Sequence, residues 1–381
     1  MTPTRSSRAV PALLAVLIAG LLAAGAGTVV VRHGDEGAAV VDPAMGPVIA
    51  ELQAFVESAR GLRFVRPVDV SVLGDFAFRR KLSGGGAVDE FDAEVQEGVL
   101  RAFGLLGPGD DLGAASELDA DSVAGFYDTE TEELVVRGVR LTPFVRLVLV
   151  HELTHALDHQ HFGLDRDLPD EEAAIAFEAL VEGDALIVEG RYLASLSPAE
   201  RAQAKEEEDE SFGGGRFEDL PEIVLELAQF PYRDGADLVG ALLERGGRAR
   251  LDAAFRSPPS TTAEVLHPER FLAGRGRVAA PRVVARGEVV DEGPLGELVL
   301  RLVLAGSVPD EEAGRAAEGW AGDSYVAWKA GRQTCVRATV VLDSPREAAE
   351  LDRSLRRWAA EHPGGAVEPA GPAAVTVSRC A

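Results

Sequence analysis

Apolar residues recur with two different periods along this chain, and the period changes at identifiable residues. From Pro43 to Leu62 they fall at helical spacing (Val48, Leu52, Phe55, Val56), and "VDVSVLG" then alternates as a strand does. A second amphipathic helix is predicted over Val95 to Leu106. "VAGFYDTETEELVVRG" reads as a β-hairpin, with "DTETEE" as the polar turn between two β-prone runs. Thr142 and Pro143 next supply a side-chain cap and a first-turn proline for a helix through "VLVHELTHALDHQHF", and the leading "VLV" makes that helix a buried one. "LPDEEAAIAFEALVEGDALIVEGRYLASL" opens with proline and an acidic first turn and continues as one long helix. "AKEEEDESFGGG" then breaks the pattern with an acidic run and three glycines, which predicts a solvated loop or helix end. Residues 219–273 read as helical with a proline-rich interruption at "SPPSTTAEVLHPERF", and Val283 to Gly306 as a short strand and a helix. From Tyr325 onward the order is strand, helix ("PREAAELDRSLRRWAAEH") and strand ("AVTVSRC").

These elements amount to an α+β chain, mostly helical with a small sheet, followed by a small C-terminal α/β piece. The boundaries expected are residues 1–31 for an N-terminal segment, 32–306 for the main domain and 307–381 for the C-terminal subdomain. With 381 residues, of which 46% are hydrophobic, the chain can bury a substantial core. No charged residue occurs from Ala9 to Val31, and Arg5 and Arg8 precede that run, so it is a signal peptide or a single membrane-spanning helix. The "AGA" at Ala24 to Ala26 suits cleavage, whereas the length suits an anchor. Both readings put the remainder outside the cytoplasm, secreted or held at the cell membrane by one pass. No cysteine follows the run, which excludes a lipoprotein. Cys335 and Cys380 are the only cysteines, and in an oxidising compartment they are expected to pair. A formal charge of −25 with no Lys/Arg-rich run excludes a nucleic-acid partner, because phosphates need a basic footprint.

The buried helix carries the chemistry. His151 and His155 stand four residues apart, so on a helix they leave one face a turn apart and can grip a single ion. Glu152, between them, can reach a metal-bound water without being a ligand. This is HExxH, the pattern in which Zn²⁺ polarises a carbonyl and acidifies water while the glutamate moves the proton. A third protein ligand is needed. His161 has the ten-residue offset from His151 of the metzincin pattern, but Asp158 stands where that pattern turns on glycine, and no methionine lies downstream to form the turn found beneath such a zinc. His159 would lie about 12 Å along the axis from His151, which leaves His159 and His161 as helix-end or supporting residues. Glu182, in "ALVEGDA", lies 27 residues after His155, within the range of the gluzincins; Glu178 shares its helix face one turn earlier. The small apolar neighbours favour Glu182, and Gly183 would let two helices approach closely. Asp184 either orients a ligand or is simply solvated. His267 in "LHPERF", or one of Tyr127, Tyr192 and Tyr232, could donate a hydrogen bond to a developing oxyanion; a histidine beside proline can equally be a satisfied turn residue.

On "HELTHALDHQHF", "ALVEGDA", "FPYRDGADLVGALLERGG", "PPSTTAEVLHPERF" and "AAEGWAGD", across residues 120 to 325, the chain resembles a family of bacterial extracytoplasmic proteins grouped with gluzincin-type (thermolysin-like) metallopeptidases. It departs from that family's pattern at Asp158-His159-Gln160. The resemblance implies a zincin-like fold, zinc and proteolysis. The expected activity is zinc-dependent hydrolysis of peptide bonds at the cell envelope, with His151, His155 and Glu182 as ligands, Glu152 as general base and His267 as oxyanion donor. The hairpin would offer an edge strand to a peptide or protein substrate. The alternatives are a non-catalytic envelope scaffold, for which an intact Glu152 would be superfluous, and a zinc hydrolase of a non-peptide bond.

Overall fold

Local sequence signals account for where the principal helices begin. The computed structural model describes residues 45–82, 90–107, 109–110, 112, 123–138, 140–212 and 220–381. Their elements are α1 (Gly46–Arg60), β1 (Asp69–Leu73), α2 (Asp75–Leu82), α3 (Glu90–Phe103), β2 (Gly125–Asp128), β3 (Glu133–Arg137), α4 (Pro143–Phe162), α5 (Glu171–Ser195), α6 (Pro198–Phe212) and α7 (Glu222–Arg256). They continue with α8 (Thr262–Leu266), α9 (Pro268–Leu272), β4 (Glu288–Gly293), α10 (Gly296–Ala305), α11 (Asp310–Ala317), β5 (Trp320–Ala330), β6 (Gln333–Leu342), α12 (Pro345–Glu361), β7 (Ala366–Gly371) and β8 (Ala374–Cys380). The fold is thus α+β with two sheets. Thr142 caps α4 by accepting from the Val145 N–H, and Pro143 takes the first helical position, where its missing N–H costs nothing. Ser344 and Pro345 start α12 in the same way, with the Ser344 hydroxyl accepting from Glu347 N.

The chain divides into two units, and α5 runs unbroken through the division after Asp184. The first unit holds α1, α2, the three-stranded sheet, α4, the C-terminal part of α5, and α6. Its strand order is β1-β3-β2, with β3 central, parallel to β1 and antiparallel to β2. Helices α1 and α6 and the β2–β3 hairpin pack on α4. Leu73, Phe78, Val123 and Val135 form the small core beneath α2, with the Phe78 and Phe126 rings 5.8 Å apart. Each such fully buried side chain contributes roughly 1.5–3 kcal/mol.

The second unit is built on a five-stranded sheet of order β4-β5-β6-β8-β7, all antiparallel. Helix α12 lies on β6, β7 and β8, and α3 on β4, β6 and β8; Trp320, Leu351, Leu355 and Trp358 are at the centre of that core. The C-terminal region is richer than the expected strand–helix–strand. Two hairpins, β5–β6 and β7–β8, flank α12: Ala330 and Gln333 pair across a two-residue loop within what reads as one β-prone run, and Gly371 pairs with Ala374 across the second loop. Cys335 and Cys380 stand opposite each other on β6 and β8 and are disulfide-bonded, a closure over 45 residues that restrains the unfolded chain by about 4 kcal/mol on the entropy model.

Helix α6 decides between the two readings of the acidic run. "AKEEEDESF" is helical to Phe212 rather than a loop, with pairs Gln203–Glu207 (2.8 Å) and Lys205–Asp209 (3.2 Å) one turn apart to offset the like charges. The glycines that follow lie outside the described residues, as does the run Ala9–Val31. Among the described residues no helix is long and apolar enough to cross a membrane.

Candidate metal centre

Helix α4 buries every residue from Leu147 to His159, so its polar side chains are enclosed along with its apolar ones. His151 and His155 lie one turn apart with ring centroids at 4.7 Å and planes at 83°, adjacent and nearly perpendicular. Helix α5 brings up Glu182: one ligand atom from each of His151, His155 and Glu182 can be chosen so that all lie within 4.8 Å of one another. Donors around a tetrahedral zinc stand about 3.3 Å apart, given bond lengths of about 2.0–2.2 Å. Two imidazoles and one carboxylate are the donor set of a hydrolytic zinc site with its fourth position open, and these residues fit it. Glu152 is buried in the same turn of α4 and is not one of the trio.

The close approach of α5 to its neighbour depends on glycine. A Cβ on Gly183 would collide with the backbone carbonyl of Gly235 in α7, and one on Gly235 would collide with the carbonyl of Ala179. The residue directly after Glu182 is therefore one that lets two helix backbones touch. Glu178, one turn before Glu182, is outside the trio. Burial, and secondarily the charge of Glu182, push its carboxyl up to about 8. Asp184 is buried, not solvated.

Sequence reasoning did not single out Glu189. It follows Glu182 by seven residues on the same helix, hence on nearly the same face, and its Oε2 lies 3.1 Å from His151 Nδ1. A carboxylate can only accept, so Nδ1 carries the proton and Nε2 is left to face a cation, the arrangement that orients metal-bound histidines. The heptad interval from Glu182 was the available signal; the 38-residue separation from His151 hid it. Behind Glu189, burial and then the Glu189 charge push Glu208 of α6 up to about 7.

Asp158 completes the stripe begun by His151 and His155 along α4. Its Oδ1 accepts from Arg60 Nη2 (2.8 Å) and Nε (3.1 Å), both side chains being buried. This pair ties the last residue of α1 to the histidine helix, and removing either partner alone would cost about 3–5 kcal/mol. His159 and His161 serve the helix end: His159 Nδ1 accepts from Leu164 N (3.4 Å) with its ring against Tyr127, and His161 Nε2 lies 2.8 Å from Arg63 O.

His267 occupies the junction of α8 and α9, and its Nε2 lies 2.8 Å from Glu297 Oε1. The Glu297 carboxylate holds the imidazole pKa above its ordinary value, so His267 has a partner of its own. Of the tyrosines, Tyr192 packs edge-on against Phe55, Tyr232 is buried in α7, and burial pushes the Tyr127 phenol up to about 12.

The family described as Domain of unknown function (DUF8575) matches residues 282–379. That stretch covers nearly all of the five-stranded sheet with α10, α11 and α12, and includes neither α4 nor α5. No curated protein and no solved structure matches the chain.

Proposed function

We propose that the chain is a zincin-like zinc metallopeptidase of gluzincin type, acting on peptide or protein substrates outside the cytoplasm. The observation that carries this reading is the convergence of His151, His155 and Glu182 from two helices, with Glu152 buried in the turn between the histidines. Zinc, when bound, supplies a Lewis acid that polarises a carbonyl and makes water a nucleophile near neutral pH. His151 and His155 hold it through imidazole nitrogens, and Glu189 keeps His151 in the required tautomer. Glu182 contributes the anionic donor. Glu152 takes a proton from the attacking water and delivers it to the leaving amine. Strand β2 is an edge strand, paired only with β3 among the described residues, and is the place where an extended peptide would add to the sheet. The Cys335–Cys380 bond and the apolar run Ala9–Val31 support an oxidising, extracytoplasmic setting, secreted or anchored by one helix.

The test separates ligand from base. His155→Ala is expected to abolish stoichiometric zinc uptake. Glu152→Ala is expected to retain zinc and to lose cleavage of a peptide library by at least about 100-fold, in line with loss of a general base. Equal zinc loss in both variants would overturn the role of Glu152, and a zinc-loaded wild type that cleaves no peptide would overturn the peptidase reading.

A further inference from the structure

Two of the sequence stretches on which the family resemblance rests, "PPSTTAEVLHPERF" and "AAEGWAGD", contribute nothing to the metal trio, yet they meet in one buried polar network. Glu172, in the first turn of α5, accepts through Oε1 from both the backbone N–H (2.6 Å) and the hydroxyl (2.9 Å) of Thr262. The same hydroxyl accepts from Leu298 N of α10 at 3.1 Å. Asp323 of β5 accepts from Leu295 N (2.7 Å), Gly296 N (3.1 Å) and Trp320 Nε1 (2.8 Å), which fixes the start of α10. Gly296 has φ +80°, and a Cβ there would collide with the Glu172 carboxylate. Glu172, Thr262, Gly296 and Asp323 are all buried. Four elements, α5, α8, α10 and β5, are thus joined by directional bonds at one point.

The apolar part of α5 around Glu172 is rich in alanine: Ala173, Ala176 and Ala179 are buried there, with Phe177 and Leu180 the larger side chains. Hydrophobic packing of that kind is strong but non-directional, and it leaves the rotation and sliding of a helix weakly specified. The network supplies what the packing lacks. Ten residues on, Glu182 lies between this anchor and the Gly183–Gly235 backbone contact.

We propose that Glu172 is a positioning residue for the Glu182 ligand: together with Thr262, Gly296 and Asp323 it sets the rotation and register of α5, and so the presentation of Glu182 toward His151 and His155. This rests on the metal-site reading given above. It also gives part of the region matched by the domain of unknown function a role, since Gly296 and Asp323 belong to it. Burial pushes the Glu172 carboxyl up to about 8, and glutamine keeps both its shape and an oxygen able to accept from Thr262.

The experiment measures zinc affinity by competition with a chelator, the d–d spectrum after loading with cobalt(II), and thermal unfolding without added metal, all on the full chain. Glu172→Ala is expected to weaken zinc about 10–100-fold, the range seen when outer partners of a metal site are removed, and to shift the cobalt bands. Glu172→Gln is expected to restore affinity to within about threefold of wild type and to restore the bands, which a loss of general stability alone would not do. Should Glu172→Ala fail to fold, Thr262→Val, which removes one hydroxyl and keeps the backbone donor, is expected to weaken zinc and move the bands in the same sense. Wild-type affinity and an unshifted spectrum in a folded Glu172→Ala or Thr262→Val chain would overturn the positioning role while leaving the metal site standing. A wild type that takes up no zinc would overturn both.

Discussion

Helices α4 and α12 begin alike, each with a hydroxyl cap followed by proline, yet they place their polar residues in opposite ways. Helix α12 is strongly two-faced. Ala348, Leu351, Leu355 and Trp358 form the buried stripe, and the outward face carries an Asp352–Arg356 pair at 2.7 and 2.9 Å in which Arg356 is largely exposed. Its charges lie outside the core, where Arg357 also reaches Glu312 of α11 at 2.9 Å. Helix α4 has no such face: all but Arg146, Gln160, His161 and Phe162 of its residues are buried, so His151, Glu152, His155 and Asp158 lie among leucines and valines. Each buried polar group carries a desolvation cost of about 1–3 kcal/mol or more unless partners offset it. The offsets here are specific: His151 Nδ1 meets Glu189, the Thr154 hydroxyl donates to Val150 O, and Asp158 accepts from Arg60. The candidate ligands His151 and His155 thus sit on the helix that lacks amphipathic contrast, and not on the two-faced α12.

The comparison breaks first at Glu182. Glu182→Gln replaces an anionic donor by a neutral amide and is expected to weaken zinc by more than the roughly 100-fold upper range of outer-partner changes. Glu178→Gln and His161→Ala should keep the metal in the same chelator titration. If His161→Ala alone released it, the trio would be wrong and the site metzincin-like. A smaller effect is expected one layer out: Glu189→Gln can still accept from His151 but without a charge, and should lower zinc affinity about 10–100-fold with little change in unfolding temperature. Unchanged affinity would show that the 3.1 Å contact with His151 is structural only. Helix α12 should respond in the opposite currency. Leu351→Ala is expected to cost about 2–5 kcal/mol in denaturant unfolding and to leave the zinc affinity of the folded chain untouched. Asp352→Ala, at the largely exposed Asp352–Arg356 pair, should move stability by no more than about 0.5 kcal/mol. A zinc effect from either would erase the contrast between the two helices.

What could be read from sequence was what is decided locally. Thr142 and Pro143 define the start of α4 within three residues, and the four-residue interval of His151 and His155 needs nothing beyond helical geometry. "DTETEE" marks the β2–β3 turn in the same way. The C-terminal strand–helix–strand missed two strands: Gly331-Arg332 is a weak turn signal inside a long β-prone run, so only the Ala330–Gln333 pairing exposes the β5–β6 hairpin, and "AVEPAG" of β7 contains a proline that argues against a strand. Helix periodicity left Glu182 and Glu178 on one face, and it is tertiary approach that puts only Glu182 in the trio. Glu189, Arg60 and Glu172 were out of reach for one reason: their partners His151, Asp158 and Thr262 lie 38, 98 and 90 residues away, and no local pattern encodes a bond across such a distance. For His267 the sequence shows the imidazole but not Glu297, which engages it from 30 residues away.

The Gly183–Gly235 contact has a mechanical consequence. Most helix pairs meet through side chains, and side chains act as springs: they change rotamer in picoseconds to nanoseconds and absorb small displacements. Where two backbones touch, no such spring exists, and the joint is as stiff as the hydrogen-bonded helices themselves. Glu182 is the residue next to that joint. Displacements that would normally be damped in intervening methyl groups are transmitted there as motion of α5 and the adjoining stretch of α7 together, so the backbone that carries Glu182 is steadied while its side chain keeps its own rotamers.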